Sequence, residues 1–127
     1  MGLDVTHDCW HGAYSAFNRF RADLWDLAHP NRKGQWETVV STGEVAEFSR
    51  YKPAAEPLDY LLYHEDCEGD LKRYMLIPLA ERLEAVAPFL PDEGGGHLRN
   101  GGSRARALQF AKGLREAHAA KQIVEFW

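Results

Sequence analysis

No stretch of this chain approaches the roughly 20 consecutive apolar residues that a membrane-crossing helix requires. The opening "MGLDVTHD" carries neither the basic flank nor the apolar segment of a secretory leader. The expected setting is therefore the cytoplasm, with no membrane partner. Cysteine is scarce: Cys9 and Cys67 are the only two. In a reducing compartment such a pair reads as free thiols or ligands rather than as a bridge. Basic residues do not dominate, with 15 Lys and Arg against 19 Asp and Glu and a net charge of −4. That balance argues against general nucleic-acid binding, which needs a concentrated basic surface to release phosphate counterions. Enzyme signatures are also missing: there is no nucleophile elbow, phosphate-cradling glycine loop, H-E-x-x-H pair or zinc-deaminase pattern. No internal repeat is visible.

What is present suits one globular domain spanning 1–127. At 45% apolar and 12% aromatic residues, the chain can bury a single core without metal or disulfide help. The expected fold class is α+β, with three main helices and one short helix packed on a small sheet that pairs the N- and C-terminal strands. "GLDV" reads as a strand over residues 2–6. A helix is expected from about His11 to Ala28, where Ala13, Phe17, Phe20, Leu24 and Leu27 recur at helical spacing. "HPNRKG" stops it through Pro30 and Gly34. Residues 35–53 mix β-branched residues around "STG" and suggest a short hairpin or an irregular excursion.

Further along, "PLDYLLYH" suggests a two-turn helix with Pro57 in its first turn. The acidic loop "EDCEGD" precedes a longer helix carrying Leu76, Leu79, Ala80, Leu83, Val86, Ala87 and Leu90, with Pro78 placed in its first turn. "PDEGGGHLRNGGS", residues 91–103, has five glycines in thirteen positions and is expected to be a flexible loop. Ser103 is suited to cap a last helix with the stripe Ala107, Phe110, Ala111, Leu114 and Ala117. "QIVEF" alternates as a closing strand, and "GLDV" is its natural partner.

Three constellations could carry chemistry. Cys9 and His11 form C-x-H, and His64 and Cys67 form H-x-x-C, together four zinc-type ligands beside His7 and Asp8. Their spacing fits no standard finger or ribbon, so the plainer reading is two small buried thiols and surface imidazoles. "HEDCEGDL" resembles a calcium loop, but with Gly69 in sixth place the first ligand would be His64 and the twelfth Met75, which lack the required carboxylates. The third constellation is Tyr14, Asn18, Arg21 and Trp25, which share a helix face beside the apolar stripe. Such a face offers stacking, phosphate pairing and a polar edge. Its alternative is rings covering the core margin.

"MGLDVTHDCWHGAYSAFNRFR", "PLDYLLYHEDCEGD" and "FAKGLREAHAAKQIVEF" together resemble a family of small uncharacterised phage and prophage proteins. In that family a GLD strand leads into a W-x-G-A-Y-x-x-F-x-R helix, and a central loop has the form L-x-Y-H-x-D-C-[DE]-G-[DE]. Here Glu68 precedes the glycine and Asp70 follows it. The shared motif is aromatic, small, polar and acidic, and implies a recognition pocket more than a metal cage.

The expected site is accordingly a ligand pocket built by Trp10, His11, Tyr14, Asn18 and Arg21, with His64, Asp66, Glu68 and Asp70 as the opposite wall. No metal, no cofactor and no catalytic residue is called for. The function this implies is a phage-encoded, non-catalytic binding protein in the host cytoplasm, sequestering a small nucleotide-derived immune signal. Alternatives are a protein-binding inhibitor of a host defence complex or virion accessory protein, and a small metal-dependent enzyme using His7, His11, His64 and Asp66. The sequence leaves the oligomeric state open, a homo-oligomer included.

Overall fold

Strict alternation sets the first element: Leu3 and Val5 are buried while Gly2 and Asp4 face solvent, forming strand β1, Gly2–Val5. The computed structural model describes residues 2–42, 56–62, 64, 69–92 and 102–127. A second strand, β2, Trp10–Ala13, returns antiparallel to β1 in the register Leu3↔Gly12 and Val5↔Trp10. The helix expected from His11 therefore starts later, as α1, Tyr14–Ala28. Its buried stripe is Ala16, Phe17, Phe20, Leu24 and Trp25, together with Arg21.

The β1–β2 turn is unusual. His7 and Asp8 have φ of 61° and 57°, and Cys9 N–H closes on the Thr6 carbonyl at 3.3 Å. Two consecutive left-handed residues match the right-handed twist of a hairpin. Asn-Gly would adopt them cheaply, whereas non-glycine residues there cost about 1 kcal/mol each.

After a 3-10 turn at Pro30–Arg32, a short helix α2, Trp36–Ser41, packs against α1 through Trp36 and Val39. This replaces the hairpin or irregular excursion expected there, because a buried pair at i and i+3 outweighs β-branched propensity. The remainder of that segment, 43–55, lies outside the described residues. Helix α3, Asp59–Leu62, is a single turn. Strand β3, Asp70–Leu71, leads into α4, Arg73–Val86, which begins early enough to place Pro78 in its interior. A 3-10 turn at Ala87–Phe89 follows, and the glycine-rich stretch 93–101 lies outside the described residues. Helix α5, Gly102–Ala119, then packs along α4. Ser103 sits within its first turn instead of capping it, fully buried and donating its hydroxyl proton to the Asp23 carboxylate.

Strand β4, Val124–Glu125, pairs antiparallel with β3. The flanking chain also lies beside β1, with a Val5↔Phe126 bridge and reciprocal Asp4–Trp127 backbone bonds of 2.8 and 2.9 Å. Two small two-stranded sheets are thus stitched together by the N- and C-terminal strands, as expected for the α+β class. Rings from all layers meet beneath them: Trp10 packs 5.1 Å from Phe17 and 5.4 Å from Phe20, and Phe126 contacts both Phe17 and Phe110. No helix among the described residues is long and apolar enough to cross a membrane.

Helix α5 reaches the hairpin turn at Gly113, where an added Cβ would fall 2.5 Å from Cys9 Sγ and 2.6 Å from the His7 carbonyl oxygen. Gly113→Ala is expected to lower unfolding free energy by about 1–3 kcal/mol, read as a lower urea midpoint at unchanged slope. Gly12→Ala, whose Cβ would meet nothing nearer than 3.5 Å, is the control and should leave the midpoint almost unmoved.

Candidate functional site

Those of the expected pocket residues that the structure describes lie in different surroundings. Trp10 and His11 are neighbours on a strand, so their side chains leave on opposite faces. Trp10 is wholly buried, and His11 is exposed. Tyr14 opens α1, half-buried against the core. Asn18 accepts the Trp36 indole N–H at 2.8 Å, so α2 occupies part of the face that was expected to read a ligand. Arg21 is buried, with its guanidinium 4.9 Å from the Trp36 ring. It donates to the carbonyls of Leu62 and His64 at 2.6 and 2.8 Å, capturing oxygens that the end of α3 leaves exposed. His64 stacks 4.1 Å from Phe126 and donates Nε2–H to the Asp70 carbonyl at 2.9 Å. Asp70 pairs with Lys72 at 3.1 Å. Asp66, Cys67 and Glu68 lie outside the described residues.

The same placement bears on the zinc reading. Cys9 is buried against α5, and that burial, reinforced by Glu116 and Asp8, pushes its thiol up to about 12. A thiol held protonated in this way is a poor metal ligand. No group of three or more His, Cys, Asp or Glu among the described residues is placed to hold a metal ion.

Polar chemistry converges instead on the hairpin turn and its seam with α5 and the C-terminal segment. Glu125 N–H donates to the Thr6 hydroxyl at 3.0 Å, and that hydroxyl lies 3.1 Å from His7 Nδ1. His7 Nε2 in turn meets Gln122 Oε1 at 2.7 Å. The assignment that satisfies every atom has Thr6 donating to Nδ1 and Nε2–H donating to Gln122. These residues, with Ile123, line an open groove of about 430 Å³. On the other side of the turn, Gln109 donates to the Asp8 carbonyl at 2.9 Å and Arg106 reaches towards the His11 carbonyl at 3.5 Å. Arg106, Gln109 and Gly113 thus form one edge of α5 along the hairpin. The sequence reading passed over this edge, although the three positions recur at helical spacing beside the apolar stripe.

On the hairpin's outer face, His11 is bracketed by two carboxylates. Its Nδ1 lies 2.7 Å from Asp4 and its Nε2 2.9 Å from Asp8. Both nitrogens can donate only in the imidazolium form, so the hydrogen bond to Asp4, followed by that to Asp8, raises the His11 pKa above its ordinary 6.5. A raised folded-state pKa stabilises the fold most fully below the unfolded value, and that contribution disappears as pH climbs through the folded value. The stability difference between wild type and His11→Gln is therefore expected to be fully present below the ordinary histidine value and to fade as pH climbs through the raised one. An NMR titration should place the His11 midpoint above 6.5 and show it falling in Asp4→Asn.

No protein family, no curated protein and no solved structure matches this chain.

Proposed function

We propose that this chain is a phage-encoded, non-catalytic binding protein that counters host defence by sequestering a small nucleotide-derived immune signal. The observation that carries the reading is the groove beside the strained turn. Its volume of about 430 Å³ falls within the range of roughly 300–1,000 Å³ typical of small-ligand sites. Thr6 and His7 are engaged with one another and with Gln122 Oε1, which leaves the Gln122 amide N–H groups as donors and the Glu125 carboxylate as acceptor on its walls. That mixture of donors and acceptors suits the polar edge of a base and the hydroxyls of a ribose. Left-handed backbone at two non-glycine residues persists only where its surroundings over-determine it, and such strain clusters at binding sites. The phage setting comes from the sequence resemblance.

A second reading, a protein-binding inhibitor of a host defence complex, is favoured by one surface feature. Phe89 is 75% exposed on the turn after α4, and Leu108 is exposed on α5, the helix packed against that turn. Exposed large apolar side chains of this kind suit a protein contact.

Thermal-shift assays against cyclic nucleotides and ADP-ribose-type compounds separate the two. A ligand at a hundredfold excess over its Kd adds about 2.7 kcal/mol of stability, and the response should disappear in Gln122→Ala. If no compound shifts the midpoint, and a host protein co-purifies with wild type but not with Phe89→Ser, the second reading replaces the first.

A further inference from the structure

Backbone pairing joins the two small sheets into one continuous face. Asp4 sits opposite His11 in the β1–β2 register and opposite Trp127 through their reciprocal backbone bonds of 2.8 and 2.9 Å. One step along β1, the Thr6 N–H donates to the Glu125 carbonyl at 2.9 Å, and Glu125 sits opposite Asp70 in the β3–β4 register. Between these two rows, Val5 and Phe126 bridge the strands with both side chains buried. Side chains alternate across a sheet, so His11, Asp4, Trp127, Thr6, Glu125 and Asp70 share the opposite face, away from the core.

That face pairs an uncovered ring with carboxylates. Trp127 is 60% exposed, and its diagonal neighbour on β1, Gly2, has no side chain to lay over it. Opposed residues on a sheet stand about 5 Å apart at Cβ, and diagonal neighbours remain within reach of long side chains. Asp4, directly opposite, and Glu125, two residues before Trp127 on the same strand, therefore border the indole. Asp4 spends Oδ1 on His11, and Asp70 is paired with Lys72. Glu125 uses only its backbone N–H, towards Thr6, and its carboxylate has no hydrogen bond or ion pair among the described residues. Across the whole face, Asp4, Asp8, Glu125 and Asp70 are set against only the His11 imidazole and Lys72.

We propose that this face docks a protein partner through an arginine side chain laid over the Trp127 indole, with Glu125 and Asp4 accepting its N–H groups. A guanidinium is planar and weakly hydrated, so it stacks on a tryptophan ring while its edge stays available to carboxylates. The acidic face supplies the complementary charge, which steers a basic partner towards it and disfavours an acidic one. Small ligands are held in concave sites that bury most of their surface, whereas the ring of Trp127 lies open on a sheet, so the guanidinium arrives attached to a larger surface. The groove of about 430 Å³, which Thr6 and Glu125 also line, gives a neighbouring side chain of the partner room beside the arginine. This docking surface goes beyond the nucleotide reading and does not rest on it.

The test is a titration of isotope-labelled protein with a capped peptide of alternating glycine and arginine, with the same peptide carrying citrulline in place of arginine, and with argininamide. The readouts are the Trp127 indole N–H resonance, identified by its absence in Trp127→Phe, and the backbone amides of Asp4 and Thr6. Saturable movement is expected with the arginine peptide, weakening as ionic strength rises, and little with the citrulline peptide, which keeps the shape and removes the charge. Trp127→Ala and Glu125→Gln should each weaken binding about two- to fivefold, as exposed cation–π and ion-pair contacts do. Both substituted side chains are exposed, so the remainder of the spectrum should stay as in wild type. No saturable movement, equal binding of the citrulline peptide, or binding unchanged in both variants overturns the proposal. Argininamide binding as tightly as the peptide also overturns it, by replacing the protein partner with a small guanidinium ligand.

Discussion

Helix α5 touches the β1–β2 turn so closely at Gly113 that only a hydrogen atom fits between them. This contact sets the distance between the helical layer and the sheet. It also gives the strained His7–Asp8 backbone something to rest against, since the His7 carbonyl and Cys9 Sγ lie directly over the helix. Once the helix is seated there, Gln109 is positioned for the Asp8 carbonyl and Arg106 for the Trp10 ring. The groove and the edge of α5 are then two sides of one turn. Interiors are close-packed, so a displacement of even one methyl at this point is felt on both sides.

Many of the polar residues that make this sequence look chemically rich are used to join helices. Arg21 ties α1 to the end of α3, and His29 holds Asp59 of α3 at 2.7 Å. Burial raises the Asp59 carboxyl while its bond to His29 pulls it back. Arg82 grips Glu56 with both Nε and Nη2, and Ser103 anchors α5 to Asp23. These groups are paired because leaving a buried polar atom without a partner costs on the order of 1–3 kcal/mol. Trp10 Nε1 and Arg106 Nε are buried without a hydrogen-bond acceptor among the described residues, and there the Arg106 guanidinium rests on the face of the Trp10 ring.

The apolar stripes were legible in the sequence. Phe17, Phe20 and Leu24 of α1, Leu76, Leu79 and Leu83 of α4, and Ala107, Phe110 and Leu114 of α5 are all buried as their spacing requires. The pairing of "GLDV" with the closing strand was legible too, since both alternate. Strand β2 was not, because it has four residues and its turn uses His-Asp in place of Asn-Gly. Ala13, at the start of α1, also offers no side-chain cap to mark where the helix begins. The site was the least legible part. Nothing in the identity of Asn18, Arg21 or His64 says whether its hydrogen bonds go to a ligand or to Trp36, Leu62 and Asp70, and that is decided by elements distant in sequence. Cys9 is the contrary case: the plainer reading of a small buried thiol holds, since against Gly113 it behaves as a small apolar side chain.

The sheet joins residues far apart in the chain. Glu125 bonds the Thr6 hydroxyl across 119 positions, and Gln122 meets His7 across 115. Such non-local contacts pay a loop-closure entropy before they return any energy, and they slow folding. On the ribosome, β1 and β2 emerge first as an isolated hairpin, which is marginally stable on its own. It carries a turn whose backbone is unfavourable until Gly113 and Gln122 arrive. The left-handed turn and its groove therefore form last, as part of a single closing event that requires the segment around residues 113–127 to have been synthesised.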